Sequence, residues 1–218
     1  HICWIMKFYT DRAIDPSGGM YHCYLDDGEV YDVRTRHLVS ATRFVITHAM
    51  LYKLTGEIRF QAGVRHGVDF LRNAFRDPAT GGYAWVIDWD GGRAAVVDGT
   101  RHCYGMAFVM LAYAHASKSG IVEAGDWLAE AFDLAEMKFW EPAAELYADE
   151  ATPGWKLSSY RGQNANMHAC EAMLSAYSAT GEPRYIERAE TLAYAITCRQ
   201  AALANDMIWE ASQKSPER

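Results

Sequence analysis

Asn164 and His168 lie four residues apart in the segment Gln163-Asn164-Ala165-Asn166-Met167-His168, so on a helix an amide and an imidazole share one face. Behind them Ala169, Cys170, Ala172, Met173, Leu174, Ala176 and Tyr177 read as a buried or nearly buried helix ending at Thr180-Gly181. A lone histidine is more often a satisfied core residue. Two polar groups on one turn of an apolar helix need a shared explanation, and a ligand that takes hydrogen bonds supplies one. Arg43 poses the same question one turn into another apolar helix, where an unpaired guanidinium is costly to bury and must meet a carboxylate, a ligand or solvent. Tyr104 either donates its hydroxyl into a cavity or packs with that hydroxyl satisfied. His102 sits beside it, whereas His22, His37, His48, His66 and His115 show no spacing to acids or thiols that would indicate a metal.

The elements that must position these residues repeat. Leu54-Thr55-Gly56, Lys118-Ser119-Gly120 and Ala179-Thr180-Gly181 each end an apolar helical pattern, at gaps of 64 and 61 residues, and each is followed by a second amphipathic segment (60–75, 121–139 and 184–204). At the opposite ends, Asp15-Pro16-Ser17-Gly18-Gly19-Met20-Tyr21 resembles Asp77-Pro78-Ala79-Thr80-Gly81-Gly82-Tyr83. Short apolar runs follow both (21–25 and 83–87) and predict small strand hairpins on one face, with weaker echoes at 145–149 and 206–210. The first helix of each hairpin is richer in small apolar residues and is predicted to be the inner one. The inner helices would begin near Thr35-Arg36-His37, Asp98-Gly99-Thr100-Arg101-His102 and Arg161-Gly162-Gln163, so their polar ends would converge on one cavity.

A helical hairpin cannot bury both of its faces, so this repeat implies a solenoid or a closed ring. The 218 residues hold roughly three and a half hairpins, while a ring of six would need about 370. The last helix (Ile186, Leu192, Ala193, Ile196, Ala201, Leu203) stays apolar almost to the end, unlike the polar cap of a finished solenoid. The expectation is an all-α single domain over 1–218 that forms the N-terminal half to two-thirds of an (α/α)6 barrel, truncated, with short β-hairpin loops on one face.

Composition excludes several other classes. The chain is 50% hydrophobic and carries 28 acidic against 21 basic residues without a like-charge run, which argues against a nucleic-acid partner. It offers no apolar stretch of membrane-span length, and it starts at His1 without a signal-peptide layout. Cys3, Cys23, Cys103, Cys170 and Cys198 are scattered, so reduced, mostly buried thiols and a cytoplasmic setting are expected. Arg12, Arg59 and Arg188 read as solvated. Trp85, Trp89 and Trp155 fall on the open face, where they either pack loops or offer a platform to a sugar ring.

Taken with the repeat, the stretches 35–44, 101–116 and 161–179 resemble the N-acylglucosamine 2-epimerase superfamily, which includes mannose isomerases, sulfoquinovose isomerases and cellobiose 2-epimerases. The most specific motif is Arg161-Gly162-Gln163-Asn164-Ala165-Asn166-Met167-His168 followed by Glu171-Ala172. The resemblance implies a six-hairpin barrel whose inner-helix ends bind a free monosaccharide through Arg43, Tyr104, Asn164 and His168. It implies no cofactor and no metal, and it leaves a homodimer open. The implied chemistry removes a proton alpha to the carbonyl of the opened sugar and returns it at C1 or C2 through an enediol. This requires an acid/base near neutral pKa and groups that stabilise an oxyanion. Arg43 and Asn164 suit the oxyanion. In the family the main acid/base histidines lie in the second half of the barrel, one in a Gly-His-x-x-Glu-Trp type motif absent from these residues, so His168 is expected to assist or orient. Tyr104-Gly105-Met106-Ala107-Phe108 departs from the Tyr-Gly-His-Ala-Phe common in mannose-isomerase-like members, although Thr35-Arg36-His37-Leu38-Val39 and Arg101-His102-Cys103-Tyr104-Gly105 lean towards that branch. The rival readings are a carbohydrate-binding protein without catalysis and, last, a glycoside-cleaving enzyme, which would need a second carboxylate across a cleft from Glu171.

Overall fold

The glycines that punctuate the sequence each close an apolar helix. In the computed structural model, which describes residues 2–10, 12–208 and 211–213, the main helices are α1 (Ile2–Tyr9), α2 (Leu38–Thr55), α3 (Ile58–Phe70), α4 (Cys103–Lys118), α5 (Ala124–Lys138), α6 (Gln163–Thr180) and α7 (Pro183–Tyr194). Gly56 and Gly181 adopt the left-handed conformation (φ 71° and 73°), and each donates its N–H to a tyrosine carbonyl one turn back, Tyr52 and Tyr177, at 2.8 Å. Gly120, at φ 88°, plays the same part after α4. α3 and α7 run on through π-helical turns, Leu71–Phe75 and Ala195–Gln200. His1, Trp209 and Glu210 of the last echo, and the 214–218 tail lie outside the described residues.

α2, α4 and α6 pack side by side as an inner layer, and α3, α5 and α7 lie behind them. α4 has a neighbour on each flank and one behind, so Met106, Ala107, Val109, Met110, Ala112, Tyr113 and Ala114 are all buried. Its alanines bring the flanking helices close. The outer layer is joined by ion pairs between consecutive hairpins: Arg65–Glu123, Arg72–Glu130, Arg184–Asp133 and Arg188–Glu136. Arg188 is therefore not the solvated residue expected. Its guanidinium also stacks 3.4 Å from the Trp140 ring centroid, because α5 and α7 approach closely enough to desolvate it. Arg12 and Arg59 are exposed as expected.

The inner layer is not covered on both edges. Met50 and Leu54 of α2, and Met167, Leu174 and Tyr177 of α6, are exposed. For Leu174 and Tyr177 this corrects the expectation of a nearly buried helix, since no described element packs on that face of α6. Of the described thiols only Cys103 is fully buried; Cys23 and Cys170 are partly covered, Cys198 is exposed, and all four are free.

Long connections carry the strands: β1 (Cys23–Tyr24), β2 (Val30–Asp32), β3 (Thr35–His37), β4 (Val86–Trp89), β5 (Ala94–Asp98), β6 (Arg101–His102), β7 (Trp140–Glu141), β8 (Leu146–Tyr147), β9 (Glu150–Ala151), β10 (Tyr160–Gly162) and β11 (Ala211–Gln213). They pair as β1–β2, β3–β4–β5, β6–β9, β7–β8 and β10–β11. The run expected at 83–87 enters β4, which turns into β5 at Asp90-Gly91-Gly92; just before it, Ala84 and Trp85 donate their N–H groups to the Phe75 and Asp98 carbonyls.

β3, β6 and β10 each place an arginine two residues before an inner helix, and each arginine is buried against an acid that precedes a proline. Arg36 pairs with Asp15 at 2.6 Å, Arg101 with Asp77 at 3.2 Å and Arg161 with Glu141 at 2.5 Å. Pro16, Pro78 and Pro142 follow these acids. The matching of Asp15-Pro16 with Asp77-Pro78 extends to Glu141-Pro142, four residues before the echo expected at Glu145. Burial pushes the Asp15 carboxyl up, but hydrogen bonds from Ser17 and the Arg36 charge outweigh it and hold the group below its ordinary value. These pairs tie each long loop to the start of the helix it feeds.

Candidate functional site at the inner-helix ends

The N-terminal ends of α2, α4 and α6 open on the face that carries the strands, and three of the expected residues meet there, one from each helix. The Arg43 guanidinium donates to the Tyr104 hydroxyl at 3.2 Å and lies 4.9 Å from the Phe108 ring centroid. The Tyr104 and His168 rings meet edge to face at 5.1 Å, and Phe108 lies 5.0 Å from His168. Arg43 is exposed and has no carboxylate partner among the described residues. On its other side it borders a cavity of about 390 Å3, also lined by Tyr9, His22, Tyr24, Ser40 and Phe44.

Asn164 lies one turn before His168, exposed and without a hydrogen-bond partner among the described residues. Asn166, two residues on, faces the other way and is fully buried. It accepts from the Tyr147 N–H at 2.7 Å and donates to the Tyr147 and Gly162 carbonyls at 3.0 and 2.9 Å. One asparagine of the motif thus holds the β8 segment against α6, and the other is free at the mouth.

His168 Nδ1 lies 2.8 Å from a Glu171 carboxylate oxygen. An ionised carboxylate only accepts, so Nδ1 is the nitrogen that donates to Glu171, and Nε2 is left for a ligand. Sequence reasoning noted Glu171 beside the motif without joining it to His168; the three-residue spacing is the signal that could have paired them. Phe108, which had no assigned role, is the apolar floor under both Arg43 and His168, and its i+4 spacing from Tyr104 puts it on the same face.

The loops complete the rim. Asp149 accepts the first α4 N–H, from Cys103, on its carbonyl at 2.7 Å, and its side chain accepts the Gly162 N–H. Burial raises its carboxyl above the ordinary value. A Cβ at Gly162 would lie 2.7 Å from Asp149 Oδ2, so any larger residue there would push the Asp149 carboxylate aside. Trp85 stands between His37, at 4.4 Å, and His102, at 4.1 Å, while Trp89 packs on Phe70 and Trp155 on Phe139. Met106, where the resemblance led one to look for a histidine, is buried in the core at 4% exposure. That position turns away from Tyr104 and serves packing.

The site therefore offers a guanidinium, a phenol, a free amide and a carboxylate-oriented imidazole over an aromatic floor. This set can bind hydroxyls, stabilise a developing oxyanion and exchange a proton. Among the described residues no group of three or more histidines, cysteines and acids could hold a metal ion. No described helix is long and apolar enough to cross a membrane.

A sequence profile described as N-acylglucosamine 2-epimerase (GlcNAc 2-epimerase) matches residues 19–217. A D-mannose isomerase of Marinomonas mediterranea is 46% identical over 212 residues, covering 96% of this chain and 52% of that protein. A D-mannose isomerase of Thermobifida fusca is 35% identical over 68% of this chain and 36% of its own length. Among solved structures, a crystal structure of D-mannose isomerase superposes with a TM-score of 0.92 at 44% identity, over 98% of this chain and 54% of that one. The chain thus spans about half, or less, of the relatives it matches, and its hairpins have the fold of part of an (α/α)6 barrel.

Proposed function

Because the chain belongs to the N-acylglucosamine 2-epimerase family, we propose that the protein carrying it is a sugar isomerase or epimerase acting on a free monosaccharide, of the mannose-to-fructose kind. The observation that carries this reading is the convergence of Arg43, Tyr104 and His168 from three successive inner helices, with an arginine that has no acid partner among the described residues. In the opened aldose, loss of the C2 proton leaves an enediolate, and return of a proton at C1 gives the ketose. Arg43 and the Asn164 amide stabilise the oxyanion; Tyr104 positions a hydroxyl; His168, oriented by Glu171, assists proton movement. The principal acid/base histidines belong to the remainder of the barrel. The exposed apolar residues of α2 and α6 support such a remainder, with this chain as half to two-thirds of the ring. The free thiols support a cytoplasmic setting.

The test uses the protein expressed from its entire reading frame and assayed with D-mannose, N-acetylmannosamine and cellobiose. Fructose formed from mannose is the expected result, and failure of every sugar to react overturns the reading. Arg43→Ala is expected to lower kcat/KM by about 100-fold or more, with little change in melting temperature. Strong destabilisation would mark Arg43 as structural. Binding of a sugar by calorimetry without solvent-proton exchange at C2 would instead favour a binding protein.

A further inference from the structure

We propose that Asp149 is the joint between the second and third inner helices, a positioning residue whose carboxylate holds the entry of α6 against that of α4 and so sets Tyr104 opposite His168. This rests on the isomerase reading of the same site and adds to it a residue outside the four expected sugar contacts.

The backbone part of the joint is repeated in the fold. At the start of α2, Leu38 donates its N–H to the Trp85 carbonyl at 3.0 Å, and Trp85 donates its own to the Asp98 carbonyl at 2.8 Å. At the start of α4, Cys103 donates to the Asp149 carbonyl at 2.7 Å, and Asp149 donates to the Tyr160 carbonyl at 3.1 Å. The flanking strands agree, since His37 pairs with Val86 and His102 with Glu150. Residues 85 and 149, 64 apart, are therefore equivalent: each joins the entry of one inner helix to the chain that leads into the next.

Asp149 adds a bond that its counterpart lacks. Its carboxylate accepts the N–H of Gly162, the buried residue immediately before α6. The backbone bonds at this position survive a change of side chain; the bond to Gly162 does not. Cys103 directly precedes Tyr104, and Gly162 lies two residues before Asn164, so Asp149 grips both helices beside their site residues. The fit is close, with a Cβ at Gly162 placed 2.7 Å from Asp149 Oδ2 and 2.8 Å from the Tyr160 ring. Across the joint the Tyr104 and His168 rings meet at 5.1 Å. Packing along α4 and α6 fixes the distance between their axes, while the first turns, where the site residues stand, are held at the joint.

The position calls for an acceptor and not for a charge. Burial, helped by the Glu150 charge, raises the Asp149 carboxyl and outweighs the Gly162 hydrogen bond and the Arg161 charge. Ionisation is thus a cost here, and the oxygen that receives Gly162 is the contribution. An asparagine keeps that oxygen, whereas an alanine leaves a buried N–H unpaired.

The experiment uses the protein expressed from its entire reading frame and compares wild type, Asp149→Ala, Asp149→Asn, Gly162→Ala and, as an outer-layer control, Arg188→Met. Mannose kinetics are combined with hydrogen exchange of the 160–168 segment read by mass spectrometry. Asp149→Ala and Gly162→Ala are expected to lower kcat about 10- to 100-fold with KM within about threefold, because proton transfer depends on placement more steeply than ground-state binding does. Both should speed exchange in the segment by about tenfold or more, and Asp149→Asn should keep kcat and protection within about threefold of wild type. Arg188→Met, which loosens α5 against α7, should keep kcat.

Wild-type kcat in a folded Asp149→Ala overturns the joint and leaves the isomerase reading standing, as does an equal loss of kcat in Arg188→Met. An Asp149→Asn that loses turnover with exchange protection intact would give the carboxyl a chemical role and overturn the proposal as well. A wild type that turns over no sugar sinks the isomerase reading; the joint then stands only if Asp149→Ala speeds exchange at 160–168 while Asp149→Asn does not. Should Asp149→Ala not fold, Gly162→Ala decides, and a wild-type kcat there overturns the proposal.

Discussion

Asn164 and Asn166 are chemically identical and two residues apart, yet one is exposed at the mouth with no hydrogen-bond partner among the described residues and the other is fully buried with three hydrogen bonds. Asn166→Ala would strand the Tyr147 N–H and two carbonyls, so a loss of roughly 2–3 kcal/mol in urea unfolding is expected. Asn164→Ala should change stability by less than about 0.5 kcal/mol and reduce turnover instead. An equal loss of stability in both would contradict the division of labour. The sequence allowed Asn164 to be singled out with His168, because four-residue spacing defines a face. It could not show what Asn166 holds, since Tyr147 lies 19 residues away and only packing brings it near.

Among the elements, the helices were legible and the loop anchors were not. The segments expected at 60–75, 121–139 and 184–204 match α3 with its π turn, α5, and α7 with its π turn to within a few residues. Glycine turns and apolar periodicity are local signals. The buried arginines depend on acids 20 to 24 residues earlier, a distance at which no periodicity operates. Arg36, with a side chain only 1% exposed, tests this level. Arg36→Met leaves Asp15 charged and buried, and a loss of about 3–5 kcal/mol is expected, whereas the exposed Arg59→Met should cost less than about 0.5 kcal/mol. Equal midpoints in chemical denaturation would show that the loop staple contributes nothing.

At the scale of the molecule, acid should weaken the fold in two stages. Burial holds the imidazoles of His22, His37, His48, His102 and His115 below their ordinary value of 6.5. The unfolded chain then binds more protons just below that value, so stability is full above about pH 6.5 and falls as pH drops through the folded values. Carboxyls held low by hydrogen bonds, such as Asp77, Asp98 and Asp32 (lowered to about 2), add a second loss below about pH 4. Denaturant midpoints measured from about pH 8 to pH 3 should be flat, then decline in these two ranges. A flat profile between about pH 7 and pH 5 would contradict the first stage.

By itself the sequence determined the hairpin repeat, the inner and outer layers, the residues at the helix mouths and the family, because each is carried by local spacing or by a contiguous motif. Only the tertiary structure decided that Arg43 meets no acid among the described residues, that Glu171 orients His168, that Arg36, Arg101 and Arg161 are loop staples, and that Trp85 stands between two imidazoles. The reason is physical: whether a polar group is free or spent depends on partners that other helices and loops bring to it, and those partners are remote along the chain.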